Sequence, residues 1–339
     1  MMPPGVCGPG AGAVLFIVGM TRGGNTWLGK IFDAHPDVFY RHEPDSIVRT
    51  RAVPAFCPPD AVERFLEPAR EHFERAIRVR TSKAVGSFPV MRKAYYGPLR
   101  FRAKQAMVVG AKGFEKIGLA RRFFRNLPLP DLTCVDDARV RLVVKSIAAL
   151  GQMNLFVRLY PAARIVLLLR HPCGQVQSAL AAIRAEKIDG QVPATVDWGI
   201  YEDMAGTPQA WREGLDMPAF RAMDPVERLA WRWAIFNDKA LADLDGAPNV
   251  RVTRYEDLCA DPIAVGRDLF AFAGLNWHPA VERFALASSG ATGSNTYDRV
   301  FRDSLKTANA WRTKLDAGQI AMIERIAARS RAGAYYGPA

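Results

Sequence analysis

An apolar run, a glycine-rich turn and an amphipathic helix follow one another near the start of the chain. The run is Val14–Val18, and the turn and helix read TRGGNTWLGKIFDAHP. A buried strand that leads through glycines into a helix predicts an anion-binding loop, because backbone amides at a helix N-terminus point at the ligand. Gly19, Gly24 and Thr26 keep the spacing of a nucleotide-binding P-loop, but Asn25 stands where that loop has its lysine. The sequence therefore predicts an anion site that differs from that of a nucleotide kinase.

Apolar runs alternate with helical patterns along the rest of the chain. The predicted strands are Val14–Val18, Val38–Tyr40, Ala106–Ala111, Val140–Ser146, Arg164–Arg170 and Val250–Tyr255. The predicted helices are Leu150–Leu159, Gly174–Ala185, Pro225–Leu244, Ala264–Ala273 and Gly318–Ala328. Strands that are almost continuously apolar and alternate with helices indicate a parallel sheet covered on both faces. The expected fold class is α/β, a three-layer P-loop-like arrangement around a central parallel sheet.

We expect a single domain over residues 14–330, preceded by a flexible lead at 1–13 and followed by a tail at 331–339. Two stretches, about 52–103 and 186–224, fit the strand–helix alternation poorly. We interpret them as lid insertions over the carboxyl ends of the strands, where ligands of such sheets bind. Trp198, Tyr201 and Trp211 in the second stretch could stack on a sugar ring or pack the lid, and packing is the favoured interpretation.

The net charge of +12 indicates an anionic partner or, equally well, a generic arginine-rich surface. The five cysteines are an odd number without a C-x-x-C pair or zinc-site spacing, so we expect a reduced, cytoplasmic protein without a structural metal. The apolar run at the first strand is too short, at about seven residues, for a signal peptide or a membrane span.

Cations end two of the predicted strands. Lys145 and Arg170 stand where a magnesium-dependent nucleotide enzyme has an aspartate that holds the metal. Protein side chains would then neutralise phosphate charge, although a strand-end surface ion pair is the structural alternative. Ser178 lies eight residues after Arg170, and the two can converge on a second phosphate, separate from the one in the loop.

Glu43 follows the second strand in the segment RHEPDS. Its carboxylate would face the anion loop and could take a proton from an acceptor hydroxyl. An ion pair with Arg41 or a helix N-cap role is an equally weighted structural alternative. His42 is the alternative base, but its side chain should point to the opposite face if the segment is extended.

Taken in order, these elements resemble the sulfotransferases that use 3'-phosphoadenosine-5'-phosphosulfate (PAPS), most closely their carbohydrate and tyrosylprotein branches. The family's first loop reads roughly P-[RK]-S-G-T-T-W-L, and TRGGNTWL matches it except at Thr21, Gly23 and Asn25. RHPCGQVQS resembles the family's element for the 3'-phosphate, HPDV…EP places Glu43 at its glutamate base, and VVKS resembles the strand with its lysine. RYEDLCADP and VFRDSLKTANAWRTKL resemble a late conserved element and the loop that closes over the cofactor.

The resemblance implies sulfuryl transfer from PAPS to a hydroxyl or amine, with adenosine 3',5'-bisphosphate (PAP) as product and no metal. It implies that Glu43 is the base and that Lys145 and Arg22 stabilise charge on the leaving phosphate. The implied cofactor-binding residues are Arg22, Gly23, Gly24, Asn25, Thr26, Trp27, Arg170, Ser178, Tyr255, Arg302 and Lys306. The implied acceptor is a small molecule, carbohydrate, lipid or peptide, and not a nucleic acid.

Three other functions stay open at this point. A P-loop kinase with a degenerate loop is disfavoured by the missing lysine and the cationic strand ends. A non-catalytic anion-binding or nucleic-acid-binding protein would explain the net charge, but the sequence has no recognisable nucleic-acid motif. An inactive PAP-binding relative would have lost Glu43 or Lys145, and both are present.

Overall fold

The computed structural model describes residues 14–48, 50–115, 127–129, 139–185, 192–290, 301 and 303–337. The strands of this part of the chain are β1 (Val14–Val18), β2 (Val38–His42), β3 (Arg141–Ser146), β4 (Arg164–Leu169) and β5 (Val250–Arg254). They form one parallel sheet in the order β2-β3-β1-β4-β5. The chain leaves the central strand β1 toward one edge and later returns to its other side, so the loop after β1 lies at the switch point of the sheet.

Side chains of β1 alternate between two buried clusters. Phe16 and Val18 belong to one cluster, and Leu15 and Ile17 belong to the other. Because successive strand residues point to opposite faces, this division places a helical layer on each side of the sheet. The predicted three-layer α/β fold is confirmed.

The α-helices of the described residues are α1 (Asn25–Asp33), α2 (Val62–Ile77), α3 (Ser82–Val85), α4 (Pro98–Phe114), α5 (Met153–Leu159), α6 (Pro172–Arg184), α7 (Trp198–Ala205), α8 (Pro208–Arg212), α9 (Met217–Ala222), α10 (Pro225–Asp243), α11 (Tyr255–Ala260), α12 (Pro262–Ala273), α13 (Pro279–Ser289), α14 (Ser304–Asn309) and α15 (Ala317–Ala327). Short 3-10 helices cover Pro44–Ser46, Pro59–Ala61, Ala149–Gln152, Ala310–Thr313 and Ala332–Tyr335. Among the helices that the structure describes, none is both long and apolar enough to cross a membrane.

The strand predicted at Ala106–Ala111 is wrong, because these residues lie inside α4. Val108 is buried, whereas Val109 beside it is 54% exposed. Pro98 begins the helix at a position that favours proline. A short apolar run does not distinguish a strand from a helix that buries only one side. The other five predicted strands and all five predicted helices are present, with ends that shift by a few residues.

The two segments expected to form lids also contribute to the core. Phe73 of the first packs on Phe156 with ring centroids 4.2 Å apart. Tyr201 of the second is fully buried beside Phe220, at a centroid distance of 5.2 Å, which confirms packing as its role. Trp211, in contrast, is 66% exposed. Residues 186–191 lie outside the described part of the chain, and the lid role of both segments stays a prediction.

Residues assigned to the tail pack against the domain. Ala332 is fully buried, and the Tyr336 hydroxyl lies 3.3 Å from Oε2 of Glu256. The Tyr336 ring also meets the His171 ring edge to face, with centroids 5.1 Å apart. Residues 332–336 thus cover the start of α6, close to the predicted cofactor element.

Candidate active site

The loop after β1 has the geometry of an anion site. Gly24 takes a left-handed conformation, with φ 93°, immediately before α1. Asn25 turns its buried side chain into the loop, and its Nδ2 donates to the carbonyl of Met20 at 2.7 Å. Asn25, which stands in place of the P-loop lysine, thus stabilises the loop conformation from inside. The loop offers an anion the first backbone amides of α1, which include those of Asn25 and Thr26.

The two motifs expected to hold separate phosphates touch each other. Nε of Arg22 donates to Oγ of Ser178 at 3.2 Å, and Nη1 of Arg170 donates to the carbonyl of Arg22 at 2.7 Å. Arg170 also donates from Nη2 to the carbonyl of Thr307 at 3.2 Å, and it is 5% exposed. Arg170 therefore holds the loop to α14, while Arg22 and Ser178 lie nearer to the surface. The sequence did not predict this direct contact.

Aromatic residues assigned to cofactor binding form the wall behind the loop. The Trp27 ring is buried, and its Nε1 donates to Oγ of Ser288 at 2.8 Å. The buried Tyr255 ring stands edge to face with Trp27, and the Arg170 guanidinium lies 4.7 Å from its centroid. Burial raises the pKa of the Tyr255 hydroxyl. Both side chains are buried beside the loop and pack on each other, and their roles in cofactor binding stay predictions.

Two further cofactor residues belong to the segment after α13. Arg302 lies outside the described residues. Lys306 lies exposed on α14. Its backbone N–H donates to Oδ1 of Asp303, which caps that helix, at 2.9 Å. The next residue, Thr307, carries the carbonyl that Arg170 contacts, so α14 adjoins the predicted 3'-phosphate element.

Glu43 is held between two lysines at the carboxyl ends of β2 and β3. Lys145 contacts Oε1 of Glu43, and Nζ of Lys83 lies 2.8 Å from Oε2. The backbone N–H of Glu43 donates to the carbonyl of Lys145 at 2.8 Å, which fixes the turn after β2 on β3. Because Lys145 pairs with Ile17 of β1 in the sheet, the carboxylate lies near the start of the anion loop.

The structural alternatives weighed for Glu43 do not describe its contacts. The Arg41 guanidinium lies over the Phe39 ring, 4.2 Å from the centroid. Glu43 precedes the 3-10 helix at Pro44–Ser46 but makes no side-chain capping bond. Lys83, its second partner, was not among the predicted site residues. The only signal for it was the basic character of the insertion that carries it.

The segment is not extended at Glu43, so the condition for the expected opposite orientation does not hold for His42. Its Nε2 lies 3.9 Å from Oε1 of Glu43, because the chain turns left-handed at Glu43 instead of continuing as a strand. Burial and the nearby Lys145 lower the pKa of His42 to about 3, and its Nδ1 lies 3.0 Å from the Tyr40 hydroxyl. Burial alone would raise the pKa of Glu43, but Lys145 and His42 outweigh it and hold that pKa well below its usual range.

Two residues of the site have unusual backbone conformations. Arg22 has φ 67° and Glu43 has φ 47°, and they are the only non-glycine residues with positive φ in the described ranges. Such conformations cost roughly 1–3 kcal/mol each and persist where the surrounding contacts enforce them, often at functional sites. The backbone strain thus falls on two of the three residues assigned to catalysis.

His171 stands where the family resemblance has an acidic residue. Its ring stacks on Trp311 with centroids 4.5 Å apart and planes 8° apart, and its backbone N–H donates to Oε1 of Glu256 at 3.0 Å. Burial and nearby arginines lower the pKa of His171 to about 4. The neutral ring therefore fills the space as an aromatic contact. Glu256, from the late RYED element, supplies the carboxylate that orders the start of α6.

No group of three or more histidine, cysteine, aspartate or glutamate side chains suited to a metal ion occurs in the part of the chain that the structure describes. Cys57, Cys173 and Cys259 are buried and free, and the remaining two cysteines lie outside that part. Within the described residues, the cations Arg22, Lys145 and Arg170 lie close to the anion loop, together with the buried carboxylate of Glu43.

Comparison with known proteins assigns the family. A model of the sulfotransferase family matches residues 14–279. The chain belongs to the sulfotransferase family. Mouse carbohydrate sulfotransferase 5 is 25% identical over 355 residues, which cover 96% of this chain and 81% of that relative. Human carbohydrate sulfotransferase 2 is 26% identical over 364 residues, which cover 96% of this chain and 66% of that relative.

Solved structures of other sulfotransferases resemble the chain at lower identity. The sulfotransferase domain from the curacin biosynthetic pathway has 16% identity and a TM-score of 0.46, with 94% of this chain and 96% of that chain covered. The family match confirms both the recognition and the enzyme class predicted from the sequence.

Proposed function

We propose that this sulfotransferase transfers the sulfuryl group of PAPS to a hydroxyl of a carbohydrate. The observation that carries the proposal is the buried Glu43–Lys145 pair beside the anion loop, with both residues fixed by the register of β2 and β3. The curated relatives that match over almost the whole chain are carbohydrate sulfotransferases, which supports a carbohydrate acceptor.

The donor would place its 5'-phosphosulfate on the loop and its 3'-phosphate beside Ser178. The first amides of α1 favour an anion through their orientation and the helix dipole. The Arg22 side chain reaches Ser178, so one guanidinium can serve both ends of the nucleotide. Charge-assisted hydrogen bonds of this kind are the strong ones in phosphate recognition.

The transfer would proceed by in-line displacement. The acceptor oxygen forms the new bond to sulfur as the bond from sulfur to the phosphate oxygen breaks, and Glu43 takes the proton of the acceptor hydroxyl. Lys145 and Arg22 stabilise the negative charge that develops on the leaving phosphate. These cations come from the chain itself, so we propose that no metal is required. The cytoplasmic location stays a prediction.

Thermal unfolding with different nucleotides tests the donor. PAP should raise the melting temperature clearly, because a ligand at 100 times its dissociation constant stabilises the native state by about 2.7 kcal/mol. ATP with magnesium should do little at the same concentration, because its phosphates all lie on the 5' side. The net charge of +12 favours any polyanion, so both scans are repeated at raised salt, which screens exposed charges.

A shift with ATP and magnesium that equals the shift with PAP at high salt would contradict the proposal and favour the kinase alternative. Sulfuryl transfer measured with labelled PAPS in EDTA gives a second test. Activity should persist there. Loss of activity that magnesium restores would show that the chemistry needs a metal.

A further inference from the structure

Lys83 reaches the base from an insertion, and not from the sheet. It lies on α3, where Thr81 caps the helix by accepting a bond from the Ala84 backbone N–H at 3.4 Å. The backbone N–H of Ser82 donates to the carbonyl of Leu127 at 2.8 Å, and the Ser82 hydroxyl contacts Glu115 at the end of α4. These contacts fix the short helix, so that the position of Lys83 depends on how the insertion is folded.

The two lysines of Glu43 differ in their access to solvent. The Lys145 side chain is 2% exposed, whereas that of Lys83 is 27% exposed. Lys145 belongs to the sheet beside the anion loop, so Oε1 of Glu43 faces the donor side. Oε2 faces Lys83, the more exposed of the two lysines, so this second oxygen lies on the side from which an acceptor would arrive from solvent. In the structure, Lys83 covers it at 2.8 Å.

A second contact keeps Lys83 in place. Its Nζ donates to Oγ of Ser46 at 2.8 Å, and that hydroxyl donates to the backbone carbonyl of Glu43, also at 2.8 Å. Lys83 therefore binds the base and the turn that carries it. A carboxylate with both oxygens in ion pairs is a poor proton acceptor, because the pairs favour its charged form.

The stretch of sequence around Lys83 carries charge of one sign. Between Glu74 and Glu115 the sequence contains ten arginines and lysines and no acidic residue. Arg92, Arg100 and Arg102 of this stretch are exposed. Clusters of one sign attract ligands of the opposite sign and raise their local concentration. An anionic group on the acceptor would thus be drawn to the element that covers the base.

We propose that Lys83 blocks Oε2, the acceptor-side oxygen of Glu43, and leaves this oxygen when the acceptor carries an anionic group beside the reacting hydroxyl. This inference rests on the proposed function, in which Glu43 is the base. The anionic group of the acceptor forms an ion pair with Lys83 in place of Glu43, and Oε2 then becomes available to accept the hydroxyl proton. A neutral molecule, including water, leaves Lys83 on the carboxylate. Lys83 is therefore a positioning residue that couples the charge of the acceptor to the strength of the base.

Hydrolysis of PAPS without an acceptor tests the blocking role directly. In that reaction a water oxygen forms the new bond to sulfur, the bond from sulfur to the phosphate oxygen breaks, and Glu43 takes the water proton, leaving PAP and sulfate. Lys83→Met should raise the rate of PAP release about tenfold, since an available general base contributes orders of magnitude. Lys83→Arg keeps the cation and should stay near the wild-type rate.

Lys112→Met is the matched control, because Lys112 lies on α4 in the same basic stretch of sequence and pairs with Glu115 at 3.4 Å. It should leave hydrolysis unchanged. Glu43→Gln in the Lys83→Met background should remove the gain. An unchanged or lower rate in Lys83→Met, with PAP still raising its melting temperature, would overturn the proposal.

The acceptor side is tested with oligosaccharides in matched pairs that differ only by a carboxylate, a hexose against the corresponding hexuronic acid. The wild type should favour the anionic member in kcat/KM, and Lys83→Met should lose this preference while Lys112→Met keeps it. A wild type that transfers sulfate equally well to both members would refute this inference alone. A wild type that neither binds PAP nor cleaves PAPS would refute the proposed function and this inference with it.

Discussion

Gly24 allows a quantitative test of the loop geometry. A methyl group added there would lie 2.3 Å from Cδ2 and 2.5 Å from Cε2 of Tyr255, far inside contact distance. The Tyr255 ring cannot move freely, because it is buried between Trp27 and Arg170. The left-handed backbone costs an alanine roughly 1–2 kcal/mol, and overpacking a core costs typically about 1–3 kcal/mol. We therefore expect Gly24→Ala to lower the free energy of unfolding by about 2–5 kcal/mol.

A double-mutant cycle in urea separates the two costs. In a Tyr255→Ala background the steric cost disappears, so Gly24→Ala should then lower the free energy of unfolding by only about 1–2 kcal/mol. Gly110→Ala is the control, because Gly110 lies inside α4 with no atom within 4 Å of an added methyl group. It should raise the free energy of unfolding by roughly 0.5–1 kcal/mol. Equal losses for Gly24→Ala in both backgrounds would refute the predicted contact with Tyr255.

Three further predictions concern the base, the cofactor and a buried ion pair. Glu43→Gln should lower turnover by about two to four orders of magnitude while His42→Ala lowers it much less; the reverse order, measured at saturating acceptor, would assign the base to His42. Ser178→Ala should weaken PAP binding by roughly 1.5–3 kcal/mol in calorimetry while leaving AMP almost unaffected, and equal losses would contradict its assignment to the 3'-phosphate. Burial would raise the pKa of Asp33, but Lys30 at 2.7 Å helps to lower it to about 2. The stabilisation by the Asp33 carboxylate is therefore present above about pH 4 and lost as the pH falls through about 2, so Asp33→Asn should flatten the acid limb of the unfolding free energy.

The sheet was predictable because its central strands are buried on both faces. Val14–Val18 and Arg164–Leu169 are apolar almost throughout, which is the pattern that central parallel strands require. The segment Ala106–Ala111 has the same local composition but buries only one side in α4. Its tertiary surroundings, which a short window does not contain, decide between strand and helix.

The candidate site was predictable as a set of residue types, but not as a set of contacts. Glu43 and Lys145 were assigned from their motifs, and the structure pairs them. Lys83 was missed because its contact crosses forty positions of sequence and depends on where α3 sits. The contact between Arg22 and Ser178 was missed for the same reason, since it depends on the strained turn at Arg22. Spacing within one element can be derived from periodicity, whereas contacts between distant loops depend on the whole fold.

The strand order has a consequence for how the enzyme is made. Leu15 pairs with Val143 of β3 on one side and with Arg164 of β4 on the other, so β1, which is made before the other four described strands, becomes the centre of the sheet. At 5–20 residues per second, roughly seven to thirty seconds separate the synthesis of β1 from that of its second partner, β4. For most of this time, until β3 is made, the five apolar residues of β1 have neither of their partner strands to pair with. Pairing between such distant segments is slow and leaves apolar surface exposed. The anion loop after β1 thus takes its final form late in synthesis, and the yield of active enzyme should depend on chaperones that shield β1 until its partner strands are made.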